Sequence, residues 1–333
     1  MATHRPIVAI LGAPGVPDPV NLDEIAELAE VRHCTADTLV SALDGAEILM
    51  LWDFFSGALK DNWGHPTQAL RWVHVCAAGV DTLLFDDLRA SSIVVTNAHG
   101  VFDRPIAEFV LASILARDKQ LHVSKALQRE KLWRHRETTR TEGTSALVIG
   151  TGGIGRSIAR LLGAVGITVT GAGRVARADD PDFGVVLETA RLADVAGDFD
   201  NVIAIAPLTT QTERMIDADV LAAMRTDAHL INVGRGQLVD EAALIDALRT
   251  GAIGAASLDV FTDEPLDPDS PLWAMDNVAV SPHMSGDAVG WRDVLAAGFL
   301  DNLQRYLRRD STPAVEVLGN VVDKQRGYVV SAG

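Results

Sequence analysis

The sequence has few cysteines and tyrosines, no long apolar run and no excess of positive charge. Its two cysteines, Cys34 and Cys76, are too few for a disulfide framework or a zinc cluster, so we expect no metal site and a reducing, cytoplasmic location. The apolar run within the N-terminal MATHRPIVAILGAPG is too short to cross a bilayer and is typical of a first strand. We therefore predict neither a targeting segment nor a membrane span.

The balance of charge limits the partners. A net charge of −16 opposes binding to nucleic acid or to an anionic membrane, because both polyanions select basic surfaces. A small anionic substrate is compatible with this charge if a few arginines set the local potential. The length of 333 residues and the 48% hydrophobic content suffice for two moderate cores, so two domains are expected.

Residues 146–155, ALVIGTGGIG, end an apolar run in a glycine turn that leads into a helical pattern. A first glycine permits an unusual φ at the turn, a second lets a pyrophosphate approach the backbone, and a third lets the helix pack on the strand. The N-terminus of that helix would then present unpaired N–H groups to the phosphates. We predict a dinucleotide site here rather than a purely structural turn, formed by Gly150, Thr151, Gly152, Gly153, Ile154 and Gly155.

Short apolar runs alternate with helical patterns along the chain. Strands separated by helices are joined by right-handed crossovers and form parallel sheets. The predicted class is therefore α/β, with two Rossmann-like or flavodoxin-like parallel-sheet domains and an active-site cleft between them. The predicted strands are 7–11, 46–52, 72–77, 93–96, 146–150, 167–172, 201–206, 229–233, 255–259 and 278–281, and the main helical patterns are 22–29, 68–72 (a helix end), 105–132 and 289–308.

The domain boundary is expected near residue 100, where the long helical pattern leads into the glycine turn. The first hundred residues are one helix short of covering their own sheet, and the C-terminal helical pattern can supply it. We therefore predict a discontinuous substrate domain, residues 1–100 plus 286–333, and a dinucleotide-binding domain, residues 101–285.

Three polar side chains each follow an apolar run downstream of the glycine turn: Arg235, Glu264 and His283. Ligands of open parallel sheets gather outside the carboxyl ends of the strands, so these three residues are expected to converge. Together they form a set suited to reducing a 2-keto acid. Arginine can bind a carboxylate and polarise a carbonyl, histidine can protonate the carbonyl oxygen, and a carboxylate can orient the imidazole and favour its charged form. Taken singly, each residue also fits a turn, an acidic loop or a surface position.

Seven segments in order resemble one family, the D-isomer-specific 2-hydroxyacid dehydrogenases, whose members include glyoxylate and hydroxypyruvate reductases. The resemblance covers nearly the whole chain. Its segments are AAGVDTLLF from Ala77, PIAEFVLA from Pro105, GTGGIG from Gly150, PLTTQT from Pro207, INVGRGQLVDEAAL from Ile231, LDVFTDEPL from Leu258 and SPHMSG from Ser281.

The resemblance implies a role for each matching residue. Arg235, Glu264 and His283 correspond to the catalytic arginine, glutamate and acid/base histidine, and Ser281 stands where the family often has threonine. The substrate carboxylate would be held by Ala78, Gly79 and Arg235, although Gly79 also fits a simple turn. The further residues expected to contact the cofactor are Pro207, Thr212, Val233 and Asp259, of which Asp259 also fits a strand-end cap. A homodimer assembled through the cofactor domain and the helix after Pro105 is also implied.

The end of the second strand after the glycine turn predicts which cofactor is used. An NAD-specific site usually has an acidic residue there to bind the ribose hydroxyls, and that carboxylate repels a 2′-phosphate. This chain has Gly173, followed by Arg174 and Arg177, two cations that could bind the phosphate. We therefore expect NADP(H) to be preferred over NAD(H), with a solvated basic loop as the alternative.

The leading expectation is reversible reduction of a small 2-keto acid, such as glyoxylate or hydroxypyruvate, to the D-2-hydroxy acid. Oxidation of a larger D-2-hydroxy acid, or a non-catalytic cofactor-sensing protein of the same fold, are alternatives. The sequence leaves open the roles of Trp52, His99, Asp287 and Trp291, and the physiological substrate and direction.

Overall fold

A computed structural model describes residues 5–329, which divide into two compact units. One unit combines the residues up to Val101 with those from Val289 onward, and the other runs from Phe102 to Ala288. Each unit is built on its own largely parallel sheet, which confirms the predicted α/β class.

Apart from one polar edge strand, the sheet of the first unit consists of short, mostly buried apolar runs, a composition that favours strands covered on both faces. Its strands pair only in parallel, in the order β2-β1-β3-β4-β5. The strands are β1 Ile7–Leu11, β2 Glu30–Cys34, β3 Ile48–Leu51, β4 Trp72–Val75 and β5 Val94–Asn97.

Helices from both parts of the chain surround this first sheet. The rings of Phe299 and Tyr306, on the long C-terminal helix, stack on Trp72 of β4 at centroid distances of 5.3 and 5.5 Å. All three side chains are buried, so this aromatic stack joins the C-terminal segment to the N-terminal sheet. The helices are α1 Leu22–Leu28, α2 Leu39–Ala42, α3 Ala58–Asp61, α4 Asp86–Ala90, α11 Trp291–Leu307 and α12 Ala314–Val317, and a small hairpin follows, β14 Val322–Asp323 and β15 Tyr328–Val329.

The sheet of the second unit has the order β13-β12-β11-β10-β6-β7-β9-β8. The chain first runs outward from β6 on one side and then returns to β10 and runs outward on the other, so the strand order reverses beside β6. Only the pairing of β8 with β9 is antiparallel among the described strands of this sheet. The strands are β6 Ser145–Ile149, β7 Thr168–Gly173, β8 Arg177–Asp180, β9 Gly184–Glu188, β10 Asn201–Ala204, β11 His229–Asn232, β12 Ala255–Leu258 and β13 Val278–Val280.

The single long helix predicted over residues 105–132 is wrong. The structure has two helices, separated at Gln120, whose φ of 49° lies in the left-handed region. Arg136 binds both the carbonyl and the side-chain oxygen of Gln120, at 2.9 and 2.8 Å, so contacts from a later segment favour a break that the apolar pattern hides. The helices of this unit are α5 Asp103–Asp118, α6 Leu121–Glu130, α7 Gly153–Ala164, α8 Leu192–Val195, α9 Ala218–Ala223 and α10 Glu241–Thr250.

Three further local features differ from the sequence predictions or were not predicted. The helix end expected at 68–72 is a single 3₁₀ turn, His65–Thr67. Strand β2 was not predicted, because its sequence EVRHC is polar and it lies at the edge of its sheet. The hairpin of β8 and β9, and the hairpin in the C-terminal tail, also have no apolar run long enough to signal them.

Among the described helices, none is both long and apolar enough to span a membrane.

Candidate active site

The glycine turn lies where the strand order of the second sheet reverses, which is the position at which open α/β sheets bind ligands. Gly150 follows β6 with a φ of +121°, and a Cβ atom there would lie 2.7 Å from the backbone of Ile205 and Ala206, just beyond β10. A Cβ atom on Gly155 would lie 1.9 Å from the carbonyl oxygen of Gly150. Both positions therefore require glycine, because the backbone packs against itself around the turn.

The start of α7 fits the pyrophosphate of a dinucleotide. Gly152 is the N-cap of this helix, and no atom lies within 4 Å of where its Cβ would be. The helix runs for 12 residues, so its first turn presents unpaired N–H groups with the positive end of the helix dipole. A side chain at position 152 would occupy the open space at the start of the helix. A side chain at position 155 would collide with the carbonyl of Gly150, so the cradle depends on both glycines.

Two of the predicted cofactor residues belong to the loop after β10. The Thr212 hydroxyl donates to the carbonyl of Pro207 at 2.7 Å and accepts the N–H of Thr209 at 2.8 Å, so it closes the loop on itself. Val233 directly follows β11, is 5% exposed, and donates its N–H to Ala204 of the neighbouring strand. Each segment follows a strand of the sheet that carries the glycine turn, and the cofactor role of Thr212 and Val233 stays a prediction.

The predicted phosphate-binding arginines lie at the end of β7 and on β8, and both are exposed. The Nε atom of Arg177 donates to Asp180 at 2.8 Å, and Asp180 also accepts two hydrogen bonds from Arg156 of α7. Burial raises the pKa of Asp180, but the bonds from Arg156 and Arg177 outweigh it and hold the pKa far below its usual range. Asp180 is therefore an anion that fixes one edge of the Arg177 guanidinium. The bonds from Arg156 to Asp180 were not predicted, because these residues lie 24 positions apart in the chain.

Arg235 lies in a loop that two neighbouring strands hold tightly. The side chain of Asn232, the last residue of β11, accepts the N–H of Gly234 at 3.1 Å and donates to the carbonyl of Arg235 at 2.9 Å. A Cβ atom on Gly236 would lie 1.8 Å from the carbonyl carbon of Phe261, so the loops after β11 and β12 are in close contact. Gly236 thus allows the loop of Arg235 to pack beside the loop that carries Glu264, and Gly234 packs against the backbone of Ile205, just beyond β10.

Glu264 and His283 form a hydrogen-bonded pair. The Nδ1 atom of His283 lies 2.7 Å from Oε2 of Glu264, and the N–H of Phe261 donates to Oε1 at 3.0 Å. Burial raises the pKa of Glu264, but these bonds and the charge of Arg235 outweigh it, so the pKa is lowered overall. A lowered pKa favours the ionised carboxylate, which can accept a proton of His283 Nδ1.

Asp259 holds the segment that carries His283. Its carboxylate accepts the hydroxyl of Ser281 at 2.6 Å and the N–H groups of Met284 and Ser285 at 2.9 and 3.0 Å. Its backbone carbonyl accepts the N–H of His283 at 2.7 Å, and His283 has a φ of 50° in the left-handed region. Asp259 is 1% exposed. These contacts match the strand-end cap that the sequence allowed, and its role toward the cofactor stays a prediction.

The predicted carboxylate-binding loop lies in the first unit, after β4. Ala78 and Gly79 are half-buried, and among residues 5–329 their N–H groups donate to no protein acceptor. A backbone N–H that no protein group accepts can donate to water or to a ligand. This loop therefore has the donors that a bound carboxylate requires.

The four residues whose roles the sequence left open have different environments. Trp52 is 5% exposed and donates its Nε1 to the carbonyl of Pro17, so it is part of the core of the first unit. Trp291 is 8% exposed and packs edge-on to Phe54. His99 is half-buried and its backbone is held by two asparagine side chains, whereas Asp287 is exposed.

Comparison with known proteins shows which family has this arrangement. The family model of the D-isomer specific 2-hydroxyacid dehydrogenase NAD-binding domain matches residues 111–285. The chain is 34% identical to an (S)-sulfolactate dehydrogenase of Chromohalobacter salexigens, over 72% of this chain and 78% of that protein. It is 32% identical to the D-3-phosphoglycerate dehydrogenase of Mycobacterium tuberculosis, over 92% of this chain but 58% of that longer protein.

A solved structure extends the likeness to the whole fold. The NADPH-dependent glyoxylate/hydroxypyruvate reductase of Sinorhizobium meliloti, solved with NADP and sulfate, is 26% identical with a TM-score of 0.81, covering 98% of this chain and 100% of that chain. The protein therefore belongs to the D-isomer specific 2-hydroxyacid dehydrogenase family. Members of this family are NAD(P)-dependent enzymes that act on CH–OH donors.

The Glu264–His283 pair predicts a change in pH dependence. Glu264→Gln removes the negative charge that favours a protonated imidazole, so the alkaline limb of kcat/KM for keto-acid reduction should move to lower pH. Asp18→Asn is a matched control, because Asp18 pairs with the exposed His33 through Nδ1 at 3.3 Å. The pairing is contradicted if the Glu264→Gln profile superimposes on that of the wild type.

Proposed function

We propose that the protein reduces a small 2-keto acid to the D-2-hydroxy acid with a nicotinamide cofactor, and that His283 is its acid/base. The observation that carries this proposal is the 2.7 Å bond between His283 Nδ1 and an ionised Glu264, on loops packed beside Arg235. His283, Glu264 and Arg235 supply a proton donor, a carboxylate that orients it and a cation for the substrate. All three lie on loops that follow neighbouring strands.

The residues of the site have distinct roles in this mechanism. Because Nδ1 is held by Glu264, His283 exchanges its proton with the substrate oxygen through Nε2, and the carboxylate stabilises the imidazolium. Arg235 and the N–H groups of Ala78 and Gly79 bind the substrate carboxylate, and Arg235 polarises the adjacent carbonyl. The glycine turn and the start of α7 hold the dinucleotide, which when bound supplies the hydride.

Glyoxylate or hydroxypyruvate is the proposed substrate. This choice is supported by the spacing of the chain's motifs and by the likeness to the Sinorhizobium meliloti reductase. The sulfolactate and phosphoglycerate dehydrogenases to which the chain is also similar have larger, additionally charged substrates, and these define the rival substrate class.

A panel of 2-keto acids tests the proposal directly. Consumption of reduced nicotinamide, followed by its absorbance, should be fastest with glyoxylate or hydroxypyruvate, and His283→Ala should lower kcat by roughly 10²- to 10⁴-fold. His33→Ala, which removes a surface histidine that also pairs with a carboxylate, should retain the wild-type rate. Nucleotide binding without turnover of any keto acid would instead indicate a cofactor sensor, and full activity of His283→Ala would exclude the mechanism.

We further propose that NADP(H) is preferred over NAD(H). Gly173 has no carboxylate to repel a 2′-phosphate, and Asp180 and Asp182 are already bound by Arg156 and Arg160. The Nη atoms of Arg177 make no hydrogen bond to the described part of the chain, so they can bind a phosphate while Asp180 holds Nε. Arg174 adds a second exposed cation.

Kinetics with the two cofactors test this preference. Wild-type kcat/KM should be higher with NADPH, and Arg174→Ala should reduce that advantage by about tenfold, mainly through KM for NADPH. Gly173→Asp should favour NADH, and its Cβ meets only the Thr151 hydroxyl, at 3.3 Å, as a tight contact. Arg191→Ala is the control, since this exposed arginine pairs with Asp194. Equal efficiency with both cofactors, or a preference for NADH, would refute the proposal.

We also propose that two copies associate through the second unit, at α5, α6 and the segment that follows. Trp133 is 103% exposed, Leu121 and Leu132 are 54% and 47% exposed, and α6 has no buried residue. Light scattering at micromolar concentration should give twice the chain mass of 35.5 kDa, and Trp133→Ala should shift the distribution toward the monomer. Trp273→Ala, at a 54% exposed tryptophan, is the control, and a stable wild-type monomer would contradict the proposal.

A further inference from the structure

The loop after β4 is held by the end of β5. The side-chain Nδ2 of Asn97, the last residue of β5, donates to the carbonyl of Ala78 at 2.6 Å. The N–H of the next residue, Ala98, donates to the carbonyl of Ala77 at 3.0 Å. Two successive peptide carbonyls of the loop are therefore fixed by two successive residues of one strand end.

Fixing these carbonyls also fixes the direction of two N–H groups. The carbonyl of Ala78 and the N–H of Gly79 belong to one planar peptide unit and, in the trans form, point in opposite directions. The same relation links the carbonyl of Ala77 to the N–H of Ala78. Asn97 and Ala98 therefore bind the carbonyl groups on one side of the loop. The N–H groups of Ala78 and Gly79 point to the opposite side, where they donate to no acceptor within residues 5–329.

Asn97 is itself fixed on several sides. Its Oδ1 accepts the N–H of His99 at 3.2 Å, and its own N–H donates to the carbonyl of Asn320 at 3.2 Å. The side chain of Asn320 in turn donates to the carbonyl of His99 at 3.0 Å. Asn97 is 3% exposed, so its amide cannot exchange its protein partners for water without opening the loop.

We propose that Asn97 is a positioning residue that orients the Ala78 and Gly79 N–H groups to bind the carboxylate of the substrate. This inference rests on the proposed reduction of a 2-keto acid and adds the group that sets the geometry of carboxylate recognition. The proposed role of Asn97 concerns recognition of the carboxylate, which all 2-keto acids share. It does not concern the remaining part of the substrate, by which 2-keto acids differ. Loss of the Asn97 donor leaves the peptide unit free to rotate, so the substrate carboxylate loses aligned donors while the cofactor site is unchanged.

Asn97→Leu tests the inference, because leucine has a similar size and no donor. Oxamate, an uncharged-amide analogue of a 2-keto acid that retains the carboxylate, serves as the probe on enzyme saturated with reduced nicotinamide cofactor. The expected result is about a tenfold rise in the Kd of oxamate and in KM for the keto acid, with the Kd of the cofactor unchanged. Asn97→Ser, which is too short to reach the Ala78 carbonyl, should give the same result with less disturbance of the core.

Asn21→Leu is the matched control. Asn21 is 8% exposed in the same unit, and its side chain donates to the carbonyl of Ala296 on α11 at 2.8 Å; within residues 5–329 it makes no hydrogen bond to the loop after β4, to Asn97 or to Asn320. It should lower the melting temperature but leave the Kd of oxamate at the wild-type value. Unchanged oxamate binding in folded Asn97→Ser, or an equal loss in Asn21→Leu, would overturn the role of Asn97 alone. Failure of the wild type to bind oxamate or reduce any keto acid would overturn the proposed function and this inference with it.

Discussion

The buried carboxylate of Asp259 determines where the proposed acid/base lies. One side chain at the end of β12 accepts a hydroxyl and two N–H groups from the segment after β13, at 2.6 to 3.0 Å. This segment has no regular structure of its own, and its histidine has a left-handed backbone that few residues adopt without support. The position of His283 relative to Glu264, and hence the electrostatics of the pair, depends on that carboxylate.

The same device recurs at other strand ends. Asn97, Asn232 and Asp259 each end or directly follow a strand, and each uses a short polar side chain to bind the backbone of a nearby loop. Short side chains with an oxygen suit this task, because they reach backbone groups without crossing the sheet. Buried polar side chains at strand ends thus fix the backbone of the loops that carry the predicted site residues.

The sequence predicted the features that depend on local pattern. Buried strands such as β3 and β6 are continuous apolar runs, and the glycines at 150 and 155 mark positions where the backbone leaves no room for a Cβ. The loops that carry the three predicted catalytic residues were expected at one edge of a parallel sheet, and the strands that precede them, β11, β12 and β13, are neighbours in the structure. What the sequence could not show depends on partners distant in the chain: the helix break that Arg136 favours at Gln120, the bond from Asn97 to Ala78, and the bonds from Arg156 to Asp180.

The aromatic stack on Trp72 has a consequence for the order in which the protein is made. Its partners Phe299 and Tyr306 are synthesised only after the whole continuous second unit. A nascent chain can therefore complete the core of the second unit while one face of Trp72 is still uncovered, because domains fold as their residues become available. The first unit to leave the ribosome is thus the last to close its core, and the apolar face of Trp72 stays uncovered until α11 emerges.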